Sequence, residues 1–428
     1  MSLPLHLRLY RLVTGLAEPL ARLLLDRRAR RGKEDPARIG ERLGHASVAR
    51  PPGPLVWMHG ASVGESLSLL PLIDRLRAAR PDLGVLVTSG TVASAALIAR
   101  RAPDGVIHQY APVDAPKAVD RFLDHWRPDL AVFVESEIWP NLLLTAKARG
   151  TKLALLSARL SERSLAGWAR RPEAARVLFR GFDLVMAQTD TVAAGLRHLG
   201  ARDQGRLNLK LAGIPLVVDQ VELASLRAAA GDRPVLLAAS THPGEDEIVL
   251  DAFEKIASYA LLVIVPRHIQ RADEIVAAAR ARSFDAAKRT EEAFGEAHVY
   301  VADTLGEMGL WFSLAKAALI GGSLLPGPGG HNPVEPAQLG CPVITGRHVD
   351  NWQGLYAELI GAGAVVVATD ALELTAAFSE VLLQPAAARA RADLARQAVA
   401  GGETGLDAAT QALLKLLPTE TAVMSPAP

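Results

Sequence analysis

Residues 317–346, AALIGGSLLPGPGGHNPVEPAQLGCPVITG, carry the pattern that decides the fold. The apolar run 317–320 is typical of a buried parallel strand, and glycines end it. After a Gly/Pro loop, Asn332 is a good helix N-cap and Pro333 suits the first helical turn. A strand, a glycine-rich turn and a helix N-terminus in this order favour a bound anion such as a phosphate, because backbone N–H groups and the helix dipole point at it. An ordinary glycine-rich turn is the alternative.

The same strand–turn–helix pattern recurs along the chain of 428 residues and predicts an α/β protein of two or three domains. The carboxyl end of each expected strand carries polar or glycine residues, and active sites of open α/β sheets lie at that edge. The best boundary precedes a polar helix near 219–230. Besides the two runs 317–320 and 342–345, the expected strands are 55–58, 84–89, 130–134, 152–157, 184–188, 235–239, 261–265, 299–302 and 364–368.

Composition excludes several classes of function. The net charge of +1 argues against a dedicated nucleic-acid binder. Cys341 is the only cysteine, so the chain has no intrachain disulfide and we expect a reducing compartment. No His/Cys group has the spacing of a metal site, and the chain has neither a Walker motif nor GxGxxG.

The first 33 residues differ from the rest in charge and patterning. Residues 1–50 carry eleven Lys/Arg and five Asp/Glu, and no apolar run of about 18 residues predicts a membrane-spanning helix. Pro19 is expected to kink the helix. An amphipathic helix with a basic flank can lie in an anionic membrane surface, and packing on the protein's own core is the alternative. The apolar face comprises Leu9, Leu12, Val13, Leu16, Leu20, Leu23 and Leu24, and the opposite face carries Arg8, Arg11, Glu18 and Arg22.

Carboxylates follow two of the expected strands in the first half. Glu65, in HGASVGE, begins a helix at the sheet edge, where it could accept a proton from a substrate hydroxyl or simply complement the helix dipole. Glu135 and Glu137 would share a face of an extended strand. Like charges so close raise one pKa or pair with Arg or Lys. A surface turn with a solvated Glu137 is the alternative.

Three further charged residues are candidates. Lys210 by itself is typical of a surface lysine. Arg267 follows a strand and could clamp a phosphate through two hydrogen bonds. Glu335 lies one turn into the helix after Asn332, where it would repel a phosphate, so we expect it to reach sugar hydroxyls.

Seven motifs in order resemble those of the bacterial 3-deoxy-D-manno-octulosonic acid (Kdo) transferases. The resemblance covers nearly the whole chain, and the seven motifs together are far more specific than any one of them. They are SVGE at 62–65, ESEIWPN at 135–141, SARLS at 157–161, STH at 240–242, PRH at 266–268, GE at 306–307 and GGS…GHNPVE at 321–335.

The resemblance implies an α/β protein of the GT-B fold, with two Rossmann-like parallel-sheet domains facing across a cleft and an N-terminal amphipathic membrane-associating helix. The implied segments are a membrane anchor 1–33, an acceptor domain 34–215, a donor domain 216–417 and a disordered tail 418–428. It also implies an inverting transfer without metal or cofactor, from CMP-Kdo to the 6′-hydroxyl of lipid IVA, the tetra-acylated lipid A precursor. The implied location is the cytoplasmic leaflet of the bacterial inner membrane.

Roles for individual residues also follow from the resemblance. Glu65 matches the general base, and Glu135 and Lys210 match positions that stabilise the transition state. Residues assigned to the donor CMP-Kdo are Arg267, His268, Leu305, Gly306, Glu307, Gly322, Ser323, Gly330, Asn332, Pro333, Val334 and Glu335. Residues assigned to the acceptor are Ser62, Gly64, Arg38, Arg42 and Glu137, with the two arginines meeting its phosphates.

Two other hypotheses stay open on the sequence. One is a different GT-B sugar-nucleotide enzyme, such as a UDP-sugar transferase or an epimerase. The other is a catalytically silent scaffold at a membrane surface.

Overall fold

The computed structural model describes residues 3–213 and 216–419. Within these ranges, 3–213 and 401–419 form an N-terminal unit and 216–400 form a C-terminal unit. Residue 215, at the predicted domain boundary, lies outside the described part of the chain. So do residues 420–428 of the predicted tail. The sequence assigned 401–417 to the second domain, but these residues belong to the N-terminal unit. The reason is that Leu406, Ala409 and Leu413 are buried in its core.

The N-terminal unit is built on a seven-stranded parallel sheet in the order β3-β2-β1-β4-β5-β6-β7. Its central strands are apolar runs buried on both faces, as expected for a parallel sheet covered by helices. The strands are β1 Leu55–His59, β2 Gly84–Ser89, β3 Ile107–Tyr110, β4 Leu130–Val134, β5 Lys152–Ala158, β6 Leu184–Ala187 and β7 Asp203–Arg206.

Ten helices begin in the N-terminal unit. They are α1 Leu5–Ala29, α2 Ile39–Arg42, α3 Val63–Ser68, α4 Leu70–Ala79, α5 Val92–Arg101, α6 Pro116–Trp126, α7 Pro140–Ala148, α8 Glu162–Ala169, α9 Pro172–Gly181 and α10 Asp190–His198. Short 3-10 turns lie at Pro36–Arg38 and Leu209–Leu211.

The C-terminal unit has a second seven-stranded parallel sheet, in the order β10-β11-β9-β8-β12-β13-β14. Its strands are β8 Val235–Thr241, β9 Leu261–Pro266, β10 Ala286–Lys288, β11 Val299–Val301, β12 Ala317–Ile320, β13 Val343–Thr345 and β14 Val365–Val367. Its helices are α11 Gln220–Ala230, α12 Glu245–Glu254, α13 Ala272–Ala281, α14 Met308–Leu314, α15 Val334–Gln338, α16 Gln353–Gly361, α17 Ala371–Leu383 and α18 Pro385–Leu414, with 3-10 turns at Ile269–Arg271 and Asp350–Trp352.

Two parallel sheets with helices confirm the predicted α/β class and the GT-B fold. The sequence analysis missed β3, β7 and β10, because these short strands at or near the sheet edges have polar or alanine-rich sequences instead of apolar runs. The single helix expected to begin at Glu65 is two helices, α3 and α4.

Helix α1 carries most of its large apolar side chains on the outside of the N-terminal unit. It runs through Pro19 from Leu5 to Ala29, and only Leu7 and Leu25 are buried. No helix in the described part of the chain is long and apolar enough to cross a membrane. The exposed side chains, between 54% and 74% accessible, are Leu5, Leu9, Leu12, Val13, Leu16, Leu20, Leu23 and Leu24.

Polar contacts hold the other face of α1 to the unit. The Tyr10 hydroxyl donates to the Asp114 carboxylate at 2.9 Å. Asn141 Nδ2 donates to the Thr14 hydroxyl at 2.9 Å, and Arg121 pairs with Glu18 at 2.9 Å. The helix is thus fixed through its polar side, which leaves the leucine face free.

Candidate active site

The first candidate site lies where the strand order of the N-terminal sheet reverses. β1 pairs with β2 on one side and with β4 on the other. In doubly wound sheets, ligands bind at the carboxyl ends of the strands that flank such a reversal. The chain leaving β1 carries Glu65, and the chain leaving β4 carries Glu135 and Glu137. The predicted carboxylates therefore lie at one edge of this sheet.

The Glu65 carboxylate folds back over the chain that enters α3. Oε2 accepts a hydrogen bond from the Ala61 N–H at 2.8 Å, and Oε1 accepts one from the Ser62 hydroxyl at 2.9 Å. Ser62 also accepts a hydrogen bond from the Glu65 N–H at 3.3 Å, which resembles a capping box. Glu65 therefore has the capping role that the sequence left open, and the same contacts fix the direction of its carboxylate.

The surroundings of Glu65 make it a stronger base. Burial raises the pKa of Glu65 above its ordinary value, and the charges of Glu137 and Glu135 raise it further, against the hydrogen bonds from Ser62 and Ala61. The side chain still remains partly exposed. A carboxylate whose pKa is shifted towards neutrality is better matched to proton transfer, so this group can act as a general base.

An ion pair lies beside Glu65. Lys210 Nζ is 2.7 Å from Glu135 Oε1, and both side chains are largely buried. The Asn208 side chain accepts the Lys210 N–H at 3.1 Å, and the Ser157 hydroxyl accepts the Leu209 N–H at 3.2 Å, so the 3-10 turn is anchored. Glu135 has a φ of +54°, a strained conformation for a non-glycine residue. Gly64 lies next to this ion pair, since a Cβ there would be 4.0 Å from Lys210 Cε, an ordinary contact distance.

Glu137 belongs to a separate hydrogen-bond network. Its Oε2 is 3.2 Å from His59 Nε2 and accepts a hydrogen bond from the Trp139 indole N–H at 2.6 Å. Burial opposes ionisation of Glu137, but the hydrogen bond and charge of His59 and the hydrogen bond from Trp139 outweigh it and hold the pKa below its ordinary value. Glu137 is therefore a fixed negative charge near Glu65, not the solvated surface residue that the sequence allowed.

Both arginines predicted to meet acceptor phosphates have partners within the unit. Arg38 pairs with Glu41 at 2.8 Å and lies 4.6 Å from the centre of the Tyr110 ring. Arg42 is mostly buried, pairs with Glu34 at 3.4 Å and donates to the Ala111 carbonyl. These contacts give both residues a structural role around α2.

The second candidate site lies at the corresponding reversal in the C-terminal sheet. β8 pairs with β9 on one side and with β12 on the other. The segment after β8 carries His242 and Glu245, and the glycine-rich stretch 321–332 follows β12. The stretch that decided the fold therefore lies where a ligand is expected.

A carboxylate of the chain itself occupies the anion position predicted in this loop. Glu245 is fully buried and accepts hydrogen bonds from the backbone N–H groups of Gly322 at 2.7 Å, Ser323 at 2.9 Å and Leu324 at 2.9 Å. It also accepts the N–H of His242 at 2.9 Å. The backbone donors of Gly322 and Ser323, which were predicted to bind the donor, are therefore already used. The sequence pattern did not show this internal carboxylate, and a phosphate bound at the helix N-terminus stays a prediction.

The helix after the loop is short. α15 has five residues, and the Asn332 side chain accepts the Val334 N–H at 2.9 Å. Pro333 and Val334 are buried, and Glu335 is partly buried. The Gly330 N–H donates to the Gly322 carbonyl at 2.7 Å, which closes the loop.

Arg267 and His268 lie at the carboxyl end of β9 and are exposed. The Arg267 guanidinium makes no hydrogen bond or ion pair within the described residues, while its backbone N–H is bound to the Thr241 carbonyl at 2.9 Å. A positive charge held in this way is free to meet an anionic ligand.

In the third segment predicted to bind the donor CMP-Kdo, residues 305–307, the charged side chain is already paired. Glu307 pairs with Arg289 at 3.0 Å, and this partner holds the pKa of Glu307 below its ordinary value although burial opposes it. Gly306 has a φ of +87°, and Leu305 is 80% exposed. Among the three residues, Leu305 and the Gly306 backbone are the groups that remain available to a ligand.

Two histidines that the sequence analysis did not single out meet in the C-terminal unit. His242 Nε2 lies 2.8 Å from His331 Nε2, and the two rings are nearly parallel. His242 is within ring-contact distance of His268, with centroids 6.1 Å apart.

The sequence analysis gave no role to five functional or structural residues, four of which act through a contact that is distant in sequence. In the described ranges, no group of three or more His, Cys, Asp or Glu side chains is arranged to hold a metal ion. One sequence signal could have identified Glu245. Gly244-Glu245 follows the central strand of its own sheet, as the Gly-Glu pair of 64–65 follows the central strand of the other. The five residues are His59, Trp139, His242, Glu245 and His331.

Comparisons with known proteins agree with this architecture. Residues 37–212 match the family described as 3-deoxy-D-manno-octulosonic-acid transferase (kdotransferase). A 3-deoxy-D-manno-octulosonic acid transferase from Bordetella pertussis is 36% identical, over 89% of this chain and 92% of that protein.

Solved structures give further similarities. The C-terminal CMP-Kdo binding domain of WaaA from Acinetobacter baumannii is 29% identical, with a TM-score of 0.41, and the match covers 42% of this chain and 96% of that domain. UDP-GlcNAc 2-epimerase from Neisseria meningitidis superposes with a TM-score of 0.55 over 85% of this chain and 100% of that one, at 14% identity, which is a similarity of fold.

Proposed function

Because the chain belongs to the family of Kdo transferases, we propose that it moves Kdo from CMP-Kdo to the 6′-hydroxyl of lipid IVA. The observation that carries the proposal is the cluster at the edge of the N-terminal sheet. There Glu65, whose pKa is raised, lies beside the Glu135–Lys210 ion pair. A base next to a partly buried cation suits an inverting sugar transfer from a phosphate ester.

Glu65 acts as the general base in this proposal. The acceptor hydroxyl attacks the anomeric carbon of Kdo while the Glu65 carboxylate takes its proton. The hydrogen bonds from Ala61 and Ser62 orient the carboxylate before the acceptor arrives, which lowers the cost of positioning it in the transition state. The fixed charge of Glu137 keeps the pKa of Glu65 high.

Positive side chains stabilise the charge that develops on the leaving CMP. The bond from the anomeric carbon to the phosphate oxygen breaks, and negative charge develops on that oxygen as CMP departs. Lys210, held by Glu135, and the unpaired Arg267 supply compensating charge. The N–H groups of 322–324 are bound to Glu245, so the proposal assigns the phosphate to these side chains instead of the glycine-rich loop.

The other donor contacts are assigned from side-chain chemistry and exposure. Glu335 is assigned to the ribose hydroxyls, because a carboxylate accepts hydrogen bonds from hydroxyls and repels phosphate. His268 and Leu305, both exposed, are assigned to the remaining surface of CMP. No metal or cofactor takes part in the proposed reaction.

Helix α1 attaches the protein to the cytoplasmic leaflet of the inner membrane in this proposal. Its leucine face is exposed while its polar face is bonded to the N-terminal unit, which is the arrangement of a helix lying in a membrane surface. Arg27 and Arg28 in its last turn suit anionic headgroups. This position would bring the enzyme to a lipid acceptor.

The direct test is transfer in vitro with purified protein, freshly made CMP-Kdo and lipid IVA, with the product read by mass spectrometry. We expect a lipid whose mass is increased by one or more Kdo units, with or without EDTA. Stabilisation against heat by CMP, without stabilisation by UDP or GDP, checks the donor separately. Failure of both transfer and CMP binding would contradict the proposal, and loss of transfer in EDTA would contradict its metal-free step.

A further inference from the structure

The histidine pair of the C-terminal unit holds a proton that the proposed mechanism has not used. A hydrogen bond between His242 Nε2 and His331 Nε2 needs one N–H and one lone pair. One ring must therefore donate and the other must accept, so the pair shares a single hydrogen at this contact. When the pair is neutral, one Nδ1 faces away from the contact with a hydrogen and the other with a lone pair.

The backbone of both histidines is held by hydrogen bonds. The Tyr356 hydroxyl donates to the His331 carbonyl at 3.2 Å, and the His242 N–H is bound to Glu245 at 2.9 Å. Gly322 leaves space for the His331 ring, because a Cβ at that position would lie 3.1 Å from it. The pair is thus a built feature of the loop and not two mobile surface side chains.

Burial and the neighbouring charges keep the pair neutral when no ligand is bound. The pKa of His331 is lowered to about 4, first by burial and then by His242 and Arg267, against Glu245. Burial also lowers the pKa of His242, with contributions from His268, Arg267 and Arg271 against Glu245. At neutral pH both imidazoles are therefore uncharged.

An anion beside the pair would reverse this balance. Four backbone N–H groups surround Glu245, and Arg271 is bound to Asp246 at 2.6 Å. The charges of Glu245 and Arg271 are therefore already compensated by these partners. The Arg267 guanidinium has no partner within the described residues and also faces this edge. A phosphate at contact distance favours the protonated form of an imidazole, because opposite charges attract strongly where water is partly excluded.

We propose that the His242–His331 pair takes up one proton when the phosphate of the cytidine nucleotide binds beside it, and gives that proton to the departing phosphate oxygen. This inference rests on the proposed function and adds two catalytic residues to it. In the protonated pair both Nδ1 atoms carry a hydrogen, and the two Nε2 atoms still share one hydrogen between them. The donor is therefore an Nδ1–H that faces away from the Nε2 contact.

The step balances in atoms and charge. The bond between the anomeric carbon of Kdo and the phosphate oxygen breaks, and its electron pair stays on that oxygen. The oxygen receives the proton from Nδ1, which returns the histidine pair to its neutral state. The proton of the acceptor hydroxyl goes to Glu65. One proton therefore leaves the pair and one reaches the carboxylate, and exchange with water resets both groups.

The test is calorimetric titration of the full-length protein with CMP at pH 7.5, in two buffers of different ionisation enthalpy. At this pH free CMP is almost entirely the dianion, since its second pKa is about 6. We expect uptake approaching one proton per CMP bound. Because binding takes up a proton only between the pKa of the free pair and the raised pKa of the bound pair, CMP affinity should fall by up to about tenfold per pH unit within that window and level off above it.

Variants separate the pair from the rest of the site. H331Q and H242N should bind CMP more weakly, with little proton uptake and a flat pH dependence. H298Q, which changes a histidine elsewhere in the C-terminal unit, should behave as wild type. Single-turnover transfer should also slow in H331Q, more strongly below the raised pKa of the bound pair, where the wild type holds the proton, than above it.

The outcomes distinguish this inference from the function on which it rests. CMP binding with no proton uptake in the wild type would overturn the role of the pair and leave Kdo transfer untouched. Uptake that persists unchanged in both H331Q and H242N would overturn it too. No CMP binding at all would contradict the proposed function itself.

Discussion

Two glutamates occupy equivalent positions in the two units and have different surroundings. Glu65 and Glu245 each follow a glycine in the first helix after the central strand of their own sheet. Glu65 accepts one backbone N–H and one hydroxyl hydrogen and remains partly exposed. Glu245 accepts four backbone N–H groups and is completely buried.

The neighbouring strand decides this difference. The chain after β12 turns its N–H groups towards Glu245, which becomes an internal anion that holds the loop. The chain after β4 brings Glu135 and Glu137 near Glu65, and they raise the pKa of Glu65. The same local pattern thus gives a structural carboxylate in one unit and a reactive one in the other, and the predictions below test that division.

The largest expected effect on stability follows from Glu245→Gln. An amide keeps one oxygen but places an NH2 group against backbone donors, so at least two charge-assisted hydrogen bonds are lost. At roughly 1.5–3 kcal/mol each, the free energy of unfolding should fall by about 3–6 kcal/mol. Urea unfolding followed by circular dichroism measures it.

The matched control for Glu245 is Glu247→Gln in the same helix. Glu247 is about half exposed and pairs with Arg282 at 2.6 Å, so its loss should cost less than about 1 kcal/mol. Equal effects of the two substitutions would show that the four N–H contacts do not stabilise the loop. That result would contradict the structural role assigned to Glu245.

The next effect concerns Lys210, the cation of the reactive edge. Lys210→Met keeps much of the side-chain length and removes the charge, so transfer should slow by about 10²–10³-fold, as for other groups that stabilise developing negative charge. Single-turnover transfer is the measurement. Because Glu135 is the partner of Lys210, Glu135→Gln should slow transfer less in the Lys210→Met variant than it does in the wild type. Fully additive losses would mean that the two do not act as a unit.

The smallest effect is a change in pH dependence. Glu65 works in its ionised form, so activity is lost as pH falls through its raised pKa. Glu137→Gln removes a negative charge near Glu65 and should lower that pKa, which moves the acid limb of kcat/KM to lower pH by less than about one unit. Glu162→Gln, in the first turn of α8, serves as the exposed control. An acid limb that stays in place or moves to higher pH would contradict the electrostatic coupling.

The sequence predicted the architecture well and the contacts within the site only in part. Apolar runs identified the central strands, because residues buried on both faces of a parallel sheet must be apolar. They missed β3, β7 and β10, whose short sequences lack an apolar run. The position of Glu65 after the first strand could be inferred, since a strand, a glycine and a helix start define a sheet edge.

Long-range partners could not be inferred from local pattern. Lys210 follows Glu135 by 75 positions and joins it only through the fold, as shown by their 2.7 Å contact. The glycine-rich loop was expected to hold a ligand phosphate, but local sequence could not reveal that Glu245 fills its N–H groups. The roles of Glu65 and Lys210 in catalysis stay predictions until they are measured.

The most direct test of the account is single-turnover Kdo transfer by Glu65→Gln, at saturating CMP-Kdo and lipid IVA. Glutamine is nearly isosteric, keeps one oxygen for the Ala61 N–H and cannot take the proton. We expect the rate to fall by about 10²–10⁴-fold while CMP affinity and the unfolding midpoint stay close to wild type. Transfer at the wild-type rate would contradict the assignment of Glu65 as the base.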